Sequence, residues 1–174
     1  MKTSVVITTI NKPNKIIKKL SSKTMENNWN FIIIGDKKTP KNFKINYGDF
    51  YSLKKQLKLN LKFAKYCPLN SYARKNIGYL IAMLKSTIII ETDDDNFPKK
   101  SFFSKRKKIH QAYEIKNSSW INIYDLFIKK KNFIWPRGLP LDELTNKVKV
   151  SKRKINNKFL IQQNVCDNNP DVDS

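Results

Sequence analysis

Residues 87–96 have the sequence TIIIETDDDN. A continuous run of β-branched side chains predicts a strand buried on both faces, which is typical of a parallel sheet covered by helices. Three carboxylates follow this run, and ligands usually bind outside the carboxyl ends of the strands in an open α/β sheet. The stretch therefore predicts a strand over residues 87–92 that ends at a ligand site formed by Asp93, Asp94 and Asp95.

Two further apolar runs precede this stretch, at residues 4–9 and 31–34, and each predicts another buried strand. Between and after these runs lie segments whose apolar residues recur at helical spacing. This spacing predicts a helix that starts at Pro13, an amphipathic helix over residues 52–64, and a helix capped by Asn70 or Ser71 whose apolar stripe is Ile77, Leu80, Ile81 and Leu84. Alternating strands and helices predict an α/β layered fold with a mostly parallel sheet and right-handed crossovers.

The pattern is weaker after residue 98. Residues 120–127 and 159–165 have the character of short strands, and residues 133–141 form an irregular loop. We find no internal repeat and no linker. At 174 residues and 20.5 kDa, the chain is expected to form a single domain over residues 1–174.

The charge is strongly basic, with 35 Lys and Arg against 14 Asp and Glu and a net charge of +21. A basic surface attracts polyanions, but the excess is almost all lysine and is spread along the chain. We therefore do not expect nucleic acid as the main partner. The basic residues 99–108 and 147–154 leave contact with an anionic membrane surface open.

Cysteine and histidine are too few for a structural zinc site, which needs about four such ligands. Cys67, Cys166 and His110 show no metal-ligand spacing, and this usage fits a reducing compartment. No apolar run approaches the roughly 20 residues that cross a bilayer, so we expect no transmembrane segment and a cytoplasmic location.

The three adjacent carboxylates favour a divalent metal. Like charges a few ångströms apart repel one another unless a cation lies between them. Along an extended backbone Asp93 and Asp95 project to one side and Asp94 to the other, so the first two are candidate ligands of Mg²⁺ or Mn²⁺. The alternative is a solvated turn or the N-terminus of a helix.

Several segments together resemble the STELLO-type glycosyltransferase family, in collinear order over nearly the whole chain. They are GDKKTP at residues 35–40, NSYARKNIGYL at 70–80, ETDDDN at 91–96, WPRGLPL at 135–141 and PDVD at 170–173. A more distant similarity joins this family to plant reversibly glycosylated polypeptides, which share the triple Asp and an Arg-Gly pair.

The resemblance implies a GT-A-like fold with helices on both faces of the sheet. It also implies a nucleotide-diphosphate sugar as donor, with a UDP-sugar favoured, and an unidentified glycan, lipid or protein as acceptor. The expected cofactor is Mn²⁺ or Mg²⁺. The family continues beyond the part that matches residues 170–174, in segments that help to form the acceptor side, so the resemblance implies a C-terminally truncated fold.

Roles for particular residues follow from the same resemblance. Asp95 is the expected direct metal ligand, Asp93 aids the metal or the ribose, and Asp94 belongs to the same donor site. Residues expected to bind the base, ribose or diphosphate of the donor are Thr8, Thr9, Asp36, Lys37, Arg74 and Lys75. For Arg74 and Lys75, pairing with the carboxylates themselves is the alternative partner to the diphosphate.

Arg137 is expected to stabilise the leaving diphosphate and Asp142 to act as a catalytic carboxylate. The structural alternatives are a turn anchored by Trp135 for Arg137, a helix N-terminal acid for Asp142, and a solvated first helical turn for Arg74 and Lys75.

Two other functions stay open. The first is a nucleotide-sugar-binding or scaffold module that lacks transferase activity. The second is a basic nucleic-acid-binding protein, or a nuclease that uses the same carboxylates to hold its metal.

Overall fold

The computed structural model describes residues 2–116, 119–127, 134, 138–143 and 147–164. The chain divides into two compact units, Met1–Arg106 and Lys107–Ser174, and each is described by itself. Because one domain can contain two such units, the expectation of a single domain stays a prediction.

A parallel sheet forms the centre of the first unit. Its described strands are β1 (Thr3–Thr9), β2 (Asn30–Gly35), β3 (Asp49–Tyr51) and β4 (Ile88–Glu91), in the order β3-β2-β1-β4. In the register of the central pairs, Val5 lies opposite Phe31 on one side and Ile90 on the other. The three predicted strands are confirmed. β3 was not predicted, because three residues are too short to show a periodicity.

The first helix covers one face of the sheet. In α1 (Lys15–Glu26), Ile17 and Leu20 are fully buried and belong to the same apolar cluster as Val5, Ile7 and Phe31 of the sheet. The helix begins at Lys15 and not at Pro13, because the side chain of Asn14 caps it by accepting a hydrogen bond from the Ile17 amide.

A second helix covers the opposite face. In α4 (Lys75–Lys85), Ile77, Ile81 and Ala82 pack in one cluster with Val6, Ile32 and Ile34. The expected helical stripe is wrong at Leu84, which is 84% exposed. Helices on both faces explain why the strands are apolar at successive positions, and they confirm the expected α/β, GT-A-like fold.

Close approach of α4 to the sheet depends on Gly78. A Cβ atom at this position would lie 2.5 Å from Cγ1 of Val6 and 3.0 Å from Cγ1 of Ile34. Both neighbours are stiff β-branched side chains in the core, so the helix or the strands would have to shift.

We expect Gly78→Ala to lower the free energy of unfolding by about 1–2 kcal/mol, because the strain of overpacking exceeds the gain of about 1 kcal/mol in helix propensity. Urea unfolding measures the change. Asn76→Ala, on the exposed side of the same helix, is the matched control and is expected to leave stability equal or slightly higher. Stabilisation by Gly78→Ala would contradict this packing.

The predicted helix over residues 52–64 is wrong. The structure has two short helices, α2 (Leu53–Leu57) and α3 (Lys62–Tyr66), separated by a turn. Leu57 is 54% exposed, whereas Gln56 is fully buried. The turn lets Leu59 and Leu61 pack against the apolar cluster that α4 forms with β1 and β2. Tertiary contacts of Gln56 and of these leucines therefore override the helical spacing.

The second unit contains an antiparallel ribbon of two strands, β5 (Ile109–Ile115) and β6 (Val150–Lys158). The strand expected over residues 120–127 is wrong, because buried Asn122 accepts a hydrogen bond from the Tyr124 amide and the chain turns into a short helix, α5 (Tyr124–Phe127). The strand expected at 159–165 is also wrong in its described part, residues 159–164, since the pairing with β5 lies earlier.

None of the helices in the described part of the chain has the length and apolar character needed to cross a membrane.

Candidate functional site

The carboxyl ends of β1, β2 and β4 lie along one edge of the sheet, because these strands are parallel. Thr9 ends β1, Asp36 follows β2, and the acidic segment, defined as Asp93–Asp95, follows β4. From β1, the chain adds β2 and then β3 on one side of β1, and it later adds β4 on the other side. The strand order therefore reverses between β1 and β4. Such a reversal opens a crevice where ligands bind in α/β sheets.

Asp94 anchors the acidic segment to the end of β1. Its Oδ2 accepts hydrogen bonds from the Thr9 hydroxyl at 2.5 Å and from the side-chain Nδ2 of Asn11 at 3.0 Å. Its main-chain oxygen accepts a third from the side chain of Asn14 at 2.7 Å. Since Asn14 also caps α1, Asp94 is bound both to the end of the strand and to the start of the next helix.

Thr39 links the ends of β1 and β2. Its hydroxyl donates to the main-chain oxygen of Thr9 and accepts from the Asp36 amide, each at 2.7 Å. The Asp36 carboxylate accepts from the Lys37 amide at 2.7 Å and from the Ser71 amide at 3.2 Å. A continuous chain of hydrogen bonds thus joins Asp36 through Thr39 and Thr9 to Asp94.

Lys75 supplies a positive charge beside the acidic segment. Its Nζ lies 2.5 Å from Oδ1 of Asp93 and 2.9 Å from Oε2 of Glu91. Burial by itself lowers the pKa of Lys75, but the hydrogen bonds and charges of Asp93 and Glu91 outweigh it, and the pKa lies above the ordinary 10.5. The Lys75 ammonium is therefore charged at neutral pH, and its attraction to the two carboxylates is lost as the pH rises through that raised value.

Tyr79 supports the same arrangement. Its hydroxyl donates to Oε2 of Glu91 at 3.0 Å. Burial, together with the charge of Glu91, raises the pKa of Tyr79 to about 12, so the phenol stays protonated and keeps donating at neutral pH.

Asp95 differs from its two neighbours. It is exposed, and no hydrogen bond or ion pair engages its side chain among the residues that the structure describes. β4 ends at Glu91 and the acidic segment bends, so the alternation expected of an extended backbone does not apply to it. Within the described residues, no group of three or more His, Cys, Asp or Glu is arranged to hold a metal ion alone. The assignment of a metal to Asp93 and Asp95 stays a prediction.

Arg74 lies behind Asp36 and is only 2% exposed. Its Nη2 and Nε donate to Oε1 of Gln56 at 2.6 and 3.1 Å, and its Nη1 donates to the main-chain oxygen of Cys67 at 3.0 Å. Nε also lies 4.0 Å from Oδ1 of Asp36. The guanidinium therefore supports the site from within the protein, and its assignment to donor binding stays a prediction.

Gln56 completes this buried network. Its Nε2 donates to the main-chain oxygens of Gly35 at 2.7 Å and of Tyr51 at 2.6 Å, at the ends of β2 and β3. The amide thus joins two strand ends to Arg74.

The remaining predicted site residues lie in different places. Thr8 is half-buried, with no side-chain hydrogen bond to a described residue, and Lys37 is exposed beside Asp36. Asp142 is exposed in a 3-10 helix of the second unit, residues 141–143. Arg137 lies outside the described residues.

Sequence reasoning missed Asn11, Asn14 and Gln56. Asn14 had a usable signal, since an asparagine before a run of helical apolar spacing is a common N-cap. Asn11 had none beyond its place after β1. Gln56 had none, because a glutamine in a lysine-rich helix is usually exposed.

Two curated proteins are similar to this chain, whereas no family model matches it. The probable glycosyltransferase STELLO2 of Arabidopsis thaliana is 31% identical over 162 residues, which is 84% of this chain and 21% of that protein. The probable glycosyltransferase STELLO1 of the same plant is 32% identical over 162 residues, with the same shares covered. The chain therefore spans about a fifth of the length of the curated relatives it matches.

Proposed function

This chain belongs to the STELLO-type glycosyltransferase family through the part of those proteins that it matches, and from that premise we propose that it binds a nucleotide-diphosphate sugar and transfers the sugar to an acceptor. The favoured donor is a UDP-sugar, the cofactor is Mn²⁺ or Mg²⁺, and the acceptor is a glycan, lipid or protein.

The observation that carries the proposal is the convergence of three predicted donor-binding segments at one edge of the sheet. Thr9, Asp36 and Asp94 are joined there by one chain of hydrogen bonds. Such mutual support holds a site in place before the ligand arrives, which reduces the entropic cost of binding.

The acidic segment fits a hard divalent cation. Asp95 offers an exposed carboxylate that no described group occupies, and Asp93 is 48% exposed and already attracts the Lys75 ammonium. Mg²⁺ in phosphate sites is usually held by one or two carboxylates together with substrate phosphates and waters. The small number of protein carboxylates therefore suits a metal that is completed by the diphosphate of the donor.

When bound, the metal would neutralise the negative charge that grows on the diphosphate as the glycosidic bond breaks. In the proposed arrangement, Asp94 keeps the acidic segment against β1, Asp36 accepts a hydrogen bond from a ribose hydroxyl, and Thr9 lies at the crevice between them. Arg137, as a second counter-charge for the leaving group, and Asp142, as the catalytic carboxylate, stay predictions, as does the cytoplasmic location.

Lys75 competes with the metal for Asp93 in this proposal. We expect Lys75→Met to strengthen binding of Mn²⁺, in the absence of nucleotide, by about tenfold, because it removes a cation that lies within hydrogen-bonding distance of the same carboxylate. Titration followed by the paramagnetic signal of free Mn²⁺ measures the affinity. Weaker Mn²⁺ binding in the variant would show instead that Lys75 keeps Asp93 in the orientation that a metal needs.

Calorimetry with UDP and UDP-sugars, with and without Mn²⁺, tests the function. Binding that requires Mn²⁺ supports the donor site, and release of UDP from a UDP-sugar that depends on an added acceptor supports transfer. Binding without turnover would favour the inactive module. Failure to bind any nucleotide diphosphate would overturn the proposal, and steeply salt-dependent binding to oligonucleotides would then favour the nucleic-acid-binding alternative.

A further inference from the structure

The β5–β6 ribbon has a regular register over most of its length. Ile109 lies opposite Lys158, Gln111 opposite Asn156 and Tyr113 opposite Lys154. Successive side chains on a strand point to opposite faces, so these six residues share one face, which we call the ribbon face. All six are exposed.

The charge of the ribbon is concentrated on β6. Its nine residues include Lys152, Arg153, Lys154 and Lys158 and no carboxylate, whereas β5 contributes Glu114. No described residue forms an ion pair with Lys154 or Lys158. Nζ of Lys154 lies 5.3 Å from the centre of the Tyr113 ring, so this ammonium stays at the exposed surface beside an aromatic side chain.

Large apolar side chains accompany the positive charge. Ile109 is 67% exposed and Tyr113 is 54% exposed on the ribbon face. Leu160 and Ile161 come after Phe159, the first residue beyond β6, and are 73% and 91% exposed. Scattered exposed apolar residues are ordinary, but Ile109 and Tyr113 share the ribbon face with Lys154 and Lys158, and two more exposed apolar residues follow Lys158 within three positions of the chain.

This combination has the chemistry of an anionic lipid interface. Lysines near such a surface gain from its negative potential, and aliphatic side chains gain from entering the boundary with the acyl chains. Single-stranded nucleic acid would instead favour several aromatic side chains on which bases stack. The ribbon face carries one aromatic residue, Tyr113, while the other large apolar groups, Ile109, Leu160 and Ile161, are aliphatic.

We propose that the ribbon face, together with Leu160 and Ile161, docks the protein onto the surface of a bilayer that contains anionic phospholipids. The docking is peripheral and reversible. The lysines provide the attraction over a distance of about a Debye length, and the aliphatic pair provides the contact with the hydrocarbon boundary.

Sedimentation of the whole chain with vesicles tests the proposal, using phosphatidylcholine alone and phosphatidylcholine mixed with phosphatidylserine. We expect binding only to the mixed vesicles. Lys154→Gln combined with Lys158→Gln is expected to weaken the partition by about 25-fold, since each lysine near an anionic surface contributes roughly a factor of five. Ile161→Gln is expected to weaken it by about tenfold through lost apolar contact.

Lys62→Gln combined with Lys65→Gln is the matched control, because it makes the same change in net charge at exposed positions of α3. An equal loss of binding in this control would overturn the proposal and assign the effect to net charge. Absence of binding to the mixed vesicles would also overturn it. So would tighter binding to a single-stranded oligonucleotide than to vesicles, with Tyr113→Ala weakening that binding. Unchanged circular dichroism shows that each variant remains folded.

Discussion

Replacing Asp95 by asparagine is expected to weaken the Mn²⁺-dependent binding of UDP by about a hundredfold, with little change in stability. The amide keeps the size of the side chain but removes the negative charge that a hard cation requires. Asp95 is exposed and makes no hydrogen bond or ion pair with a described residue, so the fold does not depend on its charge. Calorimetric titration of UDP at saturating Mn²⁺ measures the loss.

The matched control is Asp49→Asn. Asp49 is the first residue of β3, so it lies at the amino end of that strand, whereas the acidic segment follows the carboxyl end of β4. Oδ2 of Asp49 lies 2.8 Å from Nζ of Lys85, and this ion pair is exposed. Exposed pairs contribute about 0–1 kcal/mol, so UDP binding and stability are expected to stay nearly unchanged. If Asp95→Asn bound UDP and Mn²⁺ as the native chain does, the metal would have to be assigned to Asp93 alone or removed from the proposal.

The second large effect is expected at Arg74. We expect Arg74→Met to lower the free energy of unfolding by about 3–5 kcal/mol, because it breaks a buried polar network from one side. Oε1 of Gln56 loses both donors, and the main-chain oxygen of Cys67 loses one. Asp36, 4.0 Å away, loses its buried positive neighbour. Urea unfolding followed by fluorescence and by circular dichroism measures the change.

A double-mutant cycle separates this network from simple loss of packing. Gln56→Leu removes the acceptor, and in the double variant neither the guanidinium nor its acceptor remains. We expect the double variant to be clearly more stable than the sum of the two single losses predicts. Additive losses would show that the two side chains stabilise the protein independently. A cost below about 1 kcal/mol for Arg74→Met would contradict the buried network altogether.

The central sheet could be predicted from local pattern alone. Runs rich in β-branched side chains at residues 4–9, 31–34 and 87–92 indicate burial on both faces, and parallel strands under two layers of helices are the usual means of providing it. Local pattern was misleading where polar side chains are buried. The leucines spaced four apart in residues 52–64 predict one helix, but the contacts of Gln56 end α2 at Leu57.

The ribbon of the second unit could not be predicted, because its strands have no apolar alternation. Both faces of β6 are exposed, so its sequence lacks the period of two that half-buried strands show. β6 pairs with β5, which lies far earlier in the chain, so that Lys158 is opposite Ile109. Only this pairing decides which residues form β6. The nearby apolar run after residue 158 therefore predicted a strand in the wrong place.

The sequence by itself determined the α/β class, the family, and the position of the acidic segment after a buried strand, because these depend on local composition and on collinear motifs. Only the tertiary structure decided how the three carboxylates differ. Asp94 meets Thr9 from 85 residues away, Asp93 meets Lys75 from 18 residues away, and Asp95 meets no described group. Three adjacent aspartates cannot be told apart by residue type. Their surroundings differ only because the parallel strands bring partners from distant parts of the chain to the same edge of the sheet.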